Sequence, residues 1–212
     1  MKGKERFRGT EDLLRDHSTR AAAIRQRLAD FRAVPESEYF YELAYCLLTP
    51  QSSAVNAGRV VDQLKAADFL STGRDPTALL RSKDHYIRFH NTKARRLQDA
   101  RIMLHAIRNV LGRGGSPSAT RTWLVGNVNG LGLKEASHFL RNIGRRDLAI
   151  LDRHILKNLV RHGIIRALPP SLTTSRYLAI ETRFSRFART LGIPMDELDL
   201  LFWSRETGEI LK

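Results

Sequence analysis

A lysine and an aspartate eighteen residues further on are the two groups of this chain best suited to covalent chemistry. Lys134 stands in Val128-Asn129-Gly130-Leu131-Gly132-Leu133-Lys134-Glu135-Ala136, and Asp152 in Leu148-Ala149-Ile150-Leu151-Asp152-Arg153-His154-Ile155-Leu156. The first stretch reads as a glycine hairpin running straight into an amphipathic helix. Gly130 and Gly132 permit backbone angles closed to other residues and let a partner approach the main chain. The start of the following helix offers unpaired N–H groups and the positive end of its dipole, which together suit a phosphate. Lys134, in the first turn, would stand close to that bound backbone. An amine beside a sugar, with a carboxylate nearby, is the equipment for attack at an anomeric carbon. Ordinary roles compete at each position. The glycines fit a plain turn, Lys134 a solvated helix surface, and Asp152 the N-cap of a helix holding Ile155, Leu156 and Leu159. A cap and a chemical role are compatible, because a carboxylate at a helix start is suited to stabilise developing positive charge.

The elements that must position these groups read as helices. Leu97, Ala100, Leu104, Ile107 and Leu111 recur at three- and four-residue steps with basic residues between them. Pro35 closes a helix over about 19–32, and the next covers 36–48. Further helices are expected over 53–67, from Thr173/Thr174 to about Thr190, and from Pro194 through Trp203. Asp75-Pro76 has the form of a helix start, a side-chain cap followed by proline at the first helical position. Alternation of apolar and polar residues, the mark of a half-buried strand, is absent, so the expected fold is all-α. Short loops fall at 112–117 and 167–170, and no internal repeat or extended low-complexity segment is present.

Composition narrows the partner. The chain has 212 residues, enough for one or two lobes, and its 36 Lys+Arg against 22 Asp+Glu give a formal net charge of +14. Such an excess favours a polyanion, of which nucleic acid is the commonest, though a basic surface also serves solubility. No segment pairs a basic face with a Trp/Phe/Leu-rich one, which argues against a membrane surface. The single cysteine, Cys46, lies in an apolar run and reads as a core residue, and one cysteine excludes both a disulfide framework and a four-cysteine iron–sulfur site. The charged start Met1-Lys2-Gly3-Lys4-Glu5-Arg6 carries no hydrophobic signal core, and no long uncharged stretch follows. A soluble cytoplasmic protein, associated with the nucleoid, is the expectation. No metal and no cofactor are called for.

The combination Gly130-x-Gly132-x-Lys134 with Leu151-Asp152 resembles the helix-hairpin-helix base-excision DNA glycosylase superfamily. Three further stretches narrow the resemblance: Leu48-Thr49-Pro50-Gln51-Ser52, then Ile87-Arg88-Phe89-His90-Asn91-Thr92-Lys93-Ala94, then Leu198 to Lys212 with its Trp203-x-x-Glu206-Thr207-Gly208 tail. They are similar to the small second-type 8-oxoguanine DNA glycosylase/AP lyases of archaea and bacteria, from about Glu38 to the last residue. The resemblance implies a two-lobed helical glycosylase fold with a cleft between lobes, working as one glycosylase/lyase unit over 1–212. Its helix-hairpin-helix and catalytic segment would cover about 118–162, and a recognition tail about 194–212.

It further implies extrusion of the damaged nucleotide from the duplex, attack by Lys134 on C1′, and stabilisation of the sugar cation by Asp152. Oxidised guanine carries a hydrogen on N7, and a buried acceptor facing it would discriminate against guanine. The last residues, ending at Lys212, are candidates for that acceptor. Phe89 and Trp203 are candidates to stack on the base, with core packing as the alternative. Gln51 is a candidate for contact with the unstacked duplex, a plain surface glutamine being the alternative. Gly130 and Gly132, with the basic cluster Arg88, Lys93, Arg95 and Arg96, would meet the DNA backbone. The expected partner is a double strand containing oxidised guanine, bound by a monomer. A related glycosylase for another lesion, and a non-catalytic duplex-binding module, are the competing functions. The second has no use for a lysine and a carboxylate at this spacing.

Overall fold

The computed structural model describes residues 7–210. Its helices are α1 (Thr10–Arg32), α2 (Tyr39–Leu48), α3 (Ala54–Ala66), α4 (Phe69–Thr72), α5 (Thr77–Leu80), α6 (His90–Ile102), α7 (Leu104–Gly112), α8 (Pro117–Asn127), α9 (Leu133–Asn142), α10 (Arg153–Arg161), α11 (Thr174–Leu191) and α12 (Met195–Thr207). Among the described residues there is no strand, in keeping with the helical period of the sequence. None of these helices is long and apolar enough to cross a membrane.

Several boundaries differ from the sequence pattern. Helix α1 begins at Thr10, well before the expected Thr19. Leu13 and His17 extend the buried stripe of Ile24 and Phe31, and Glu11 and Asp12 complement the dipole in the first turn. The stripe from Leu97 to Leu111 is two helices, because Met103 ends α6 and starts α7. No proline or glycine marks that break. The segment from Glu36 opens with a 3-10 turn over Glu36–Glu38 before α2 begins. Asp75 does accept the Thr77 N–H at 2.9 Å. The helix it opens is one turn long, and Pro76 precedes its first residue. Helix α12 continues past Trp203 until Gly208, at φ 83°, ends it in the left-handed region.

The chain forms two compact units, one from Val34 to Ile143 and the other from the segments on either side of it. In the first, α2 is buried from Phe40 to Leu48, Cys46 included, and α3, α6 and α9 pack around it. A helix apolar on nearly every side, with Glu42 its one charged residue, belongs at a core centre. In the second unit α12 takes that place, with α1, α10 and α11 against it. Its acidic residues are met within the unit. Glu197 accepts from His17 Nε2 at 2.7 Å and from Arg25 Nε at 3.2 Å, and Arg146 Nε donates to Asp196 at 3.0 Å.

His162 in this second unit is a buried ring stacked between Phe187 and Phe202, at 6.1 and 5.5 Å. Its Nδ1 lies 2.7 Å from the Arg8 carbonyl, so Nδ1–H is the donor in the neutral ring. Burial pushes its pKa below the usual 6.5. On acidification the unfolded chain therefore takes up this proton first. The stabilisation is fully present above pH 6.5 and is lost as pH falls through the depressed folded value. The midpoint of thermal unfolding should fall more steeply from neutral to acid pH in the wild type than in His162→Phe, which keeps the ring stack. Equal slopes would show that other groups govern acid stability.

Candidate active site

The hairpin between α8 and α9 is held from beneath. Val128 and Leu131 are buried, and the Leu131 N–H donates to the Val128 carbonyl at 3.2 Å. Arg121 on α8, itself buried, donates to Ser137 on α9 at 3.1 Å. Gly130 takes φ 93°, where a side chain would be strained, and a Cβ there would run into the Arg96 side chain lying across it. Gly132 is the N-cap of α9 and has no side chain to close the helix start. Glu135 does part of that work, accepting the Gly132 N–H at 3.3 Å. Its other oxygen pairs with Lys134 Nζ at 3.0 Å. Lys134 is about one-third exposed (33%), neither buried nor fully solvated. Glu135, which sequence reasoning passed over, thus joins the hairpin backbone to the candidate nucleophile. The capping spacing of a glutamate three residues after the N-cap was the available signal.

The basic cluster divides. Arg88 and Arg95 are exposed, Arg96 is half-buried against the hairpin, and Lys93 is buried at 1% exposure. Lys93 is therefore turned inward, where the sequence pattern grouped it with outward cations that would meet a DNA backbone. Its ammonium donates to the carbonyls of Leu48 and Pro50 at 2.6 and 2.7 Å and to Ser52 Oγ at 3.1 Å. A cation there complements the negative end of α2. Desolvation, and then the charges of Arg96 and Lys134, push its pKa down to about 8.

Lys93 ties together two loops that carry left-handed residues. Ser52 Oγ, already bonded to Lys93, also accepts the Arg88 N–H at 3.0 Å. Gln51 takes φ 56° and Phe89 φ 60°, both costly for residues with a Cβ. Gln51 is exposed, and Phe89 is 51% exposed with the Arg88 guanidinium 5.0 Å above its ring. Phe89 is not core packing. The structure instead holds an aromatic ring and an amide in strained, outward positions, pinned by one buried ammonium.

The second unit holds the carboxylate. Residues 148–151 are buried and irregular, fastened by Tyr177, whose hydroxyl donates to the Ala149 carbonyl at 2.6 Å, and by Glu181, which accepts the Ala149 N–H at 2.8 Å. Asp152 follows as the N-cap of α10, its Oδ1 accepting the N–H groups of His154 and Ile155, each at 2.8 Å. Its Oδ2 accepts Trp203 Nε1–H from α12 at 2.8 Å. The capping role anticipated for Asp152 is present, and the indole contact adds to it. Trp203 is half-buried, with the His154 ring edge-on at 5.4 Å. Lys212, the candidate at the end of the tail, lies outside the described residues. Among the described residues no group of histidine, cysteine, aspartate and glutamate is arranged to hold a metal ion.

Replacing Lys93 by methionine keeps the volume of the stem but leaves the buried Leu48 carbonyl and the part-buried Pro50 carbonyl without this donor. Each orphaned group costs about 1–3 kcal/mol. Lys93→Met should therefore lower the denaturation midpoint markedly and loosen Gln51 and Phe89 together. Urea unfolding and hydrogen exchange of residues 49–53 and 86–90 test this, and unchanged protection in both segments would remove Lys93 from that role.

Comparison with known proteins places this arrangement. The family profile for 8-oxoguanine DNA glycosylase matches residues 24–193. The chain is 37% identical over 225 residues to the 8-oxoguanine DNA glycosylase/AP lyase of Fusobacterium nucleatum, covering 100% of both. It is 38% identical to that of Korarchaeum cryptofilum, covering 96% of this chain and 100% of the relative. The crystal structure of the 8-oxoguanine DNA glycosylase of Thermotoga maritima matches with a TM-score of 0.84 at 32% identity, over 96% of this chain and 100% of that one. The Methanocaldococcus jannaschii 8-oxoguanine glycosylase/lyase, in complex with a 15mer DNA containing 8-oxoguanine, matches with a TM-score of 0.83 at 31% identity, over 94% and 99%. With a profile spanning most of its length and full-length relatives above 30% identity, the chain belongs to the archaeal and bacterial type of the 8-oxoguanine DNA glycosylase/AP lyase family.

Proposed function

We propose that the protein removes 8-oxoguanine from duplex DNA and cleaves the resulting abasic site, with Lys134 as the nucleophile and Asp152 as the carboxylate that steadies the sugar cation. The observation that carries this reading is an amine, Lys134, held in the first turn of α9 behind a glycine hairpin in a chain of this family. A base inside a duplex is out of reach, so the nucleotide must be extruded first. Phe89 and Gln51, held outward at left-handed turns, suit contact with the unstacked base and its surroundings. Arg88 and Arg95 suit the phosphates, and the start of α9 offers its N–H groups to one more.

The chemistry follows from the residue types. Lys134 must release its contact with Glu135 and lose a proton before its lone pair can attack C1′. The C1′–N9 bond breaks, and its electron pair and a proton leave with the base. Ring opening yields an iminium between Nζ and C1′. Loss of a C2′ proton then expels the 3′ phosphate by β-elimination. Asp152, at the positive end of α10, lowers the energy of the cationic sugar. These steps draw only on side chains. A net charge of +14 suits a monomer acting on DNA at the nucleoid of a cytoplasm.

Borohydride reduction should crosslink the wild type to a duplex carrying 8-oxoguanine, and Lys134→Gln should abolish the adduct while duplex binding survives. A variant that crosslinks as fast as the wild type would identify a different amine. Duplexes that each carry another single lesion serve as the comparison. Faster trapping on one of them would reassign the substrate.

A further inference from the structure

We infer that Trp203 is a positioning residue for the Asp152 carboxylate, aiming its last open lone pair through the indole N–H. The inference rests on the proposed role of Asp152 in the chemistry. A carboxylate has about four acceptor sites, two on each oxygen. At Asp152 both sites of Oδ1 are taken by the N–H groups of His154 and Ile155, and one site of Oδ2 is taken by Trp203 Nε1–H. Among the described residues one site on Oδ2 remains open, and the indole decides where it points. An aspartate held at an N-cap through Oδ1 alone can still tilt the plane of its carboxylate about that anchored oxygen. Here Oδ2 is clamped at 2.8 Å by a rigid ring on another helix.

The ring in turn is supported. His154 meets it edge-on at 5.4 Å, and its Nδ1 lies 3.8 Å from Glu206. Glu206 also accepts Asn158 Nδ2 at 3.3 Å and faces Arg161 at 3.9 Å. Trp203 and Glu206 stand three residues apart on α12, so both point to the same side of that helix and both engage α10. The Trp-x-x-Glu spacing of the tail thus has a structural purpose: one side chain grips the N-cap of α10 and the other its body. An indole that also touches the lesion base would connect base recognition to the set of the carboxylate.

The arrangement changes how Asp152→Asn must be read. An asparagine that keeps Oδ1 on the two backbone N–H groups turns its own N–H2 toward Trp203 Nε1–H, donor against donor. Trp203→Phe removes that conflict and keeps an aromatic ring. The test is single-turnover cleavage of a pre-formed abasic site, which has no base to stack, for the wild type, Trp203→Phe, Asp152→Asn and the double variant. Affinity for the duplex and the melting curve are measured alongside.

Trp203→Phe should slow cleavage on the order of tenfold, the value of one hydrogen bond to a charged group, while affinity is retained. In the Asp152→Asn background the same change should add no further loss of rate, and it should raise the melting midpoint by relieving the donor conflict. Wild-type cleavage by Trp203→Phe, beside a slow Asp152→Asn, would overturn the positioning role alone. So would a tenfold loss repeated in the double variant, which would report a general packing effect. Wild-type cleavage by Asp152→Asn would bring down the reading of Asp152 itself, and the positioning role with it.

Discussion

The first backbone N–H groups of a helix have no acceptor inside it, and the way this debt is met at two helix starts organises both parts of the candidate site. Helix α10 is closed from within, because Asp152 takes the N–H groups of His154 and Ile155 on one oxygen. Helix α9 is left more open. Its N-cap is Gly132, which has no side chain, and Glu135 meets the Gly132 N–H from the third position. The closed end holds a carboxylate through two backbone donors, and the open end leaves main chain and the positive end of the dipole without a capping side chain on the N-cap residue. One rule of hydrogen bonding, applied with different residues, makes an anchored acid in one unit and a sparsely capped helix start in the other.

Buried charge supplies the second layer of order. Lys93, Glu197 and Asp196 are all nearly inaccessible, and each is tolerated because specific partners reach it. Glu197 has His17 and Arg25, and Asp196 has Arg146 together with the Asp147 N–H. Lys93 differs in that its partners are mainly backbone carbonyls at the end of α2. A buried cation with no carboxylate partner among the described residues is expensive, which its lowered pKa reflects. What it secures is geometric. The two loops it joins hold Gln51 and Phe89 at positive φ, conformations that isolated loops would abandon.

These two layers account for why the stretches that carry the resemblance are spread along the chain. Leu48-Thr49-Pro50-Gln51-Ser52 supplies the carbonyls and the hydroxyl that Lys93 binds, and Arg88-Phe89 supplies the backbone N–H that the same hydroxyl accepts. The terminal Trp-x-x-Glu supplies the contacts of α12 with α10. Segments far apart in sequence are thus parts of two hydrogen-bonded assemblies, one in each unit.

Local chemistry was legible in the chain itself. The helical period, the glycine hairpin before Lys134, the capping spacing of Asp152 and the starts of α3, α11 and α12 all depend on residues within a turn or two of one another. Side-chain type and short-range backbone geometry decide such features. The family resemblance rested on the same short stretches. The environment of each group was not legible. Lys93 looked like one more cation on an exposed helix face, because its acceptors lie 41 to 45 residues away. Trp203 looked like a stacking ring or a core residue and not like a hydrogen-bond donor, because the carboxylate it grips is 51 residues distant. The early start of α1 was hidden among charges that only α12 explains, and the break at Met103 has no local breaker at all. Sequence determined which groups exist and how each begins or ends its helix. Tertiary packing alone decided which of them are buried, what they bond to and which way they point, because burial and distant hydrogen bonds belong to the assembled units and not to any single segment.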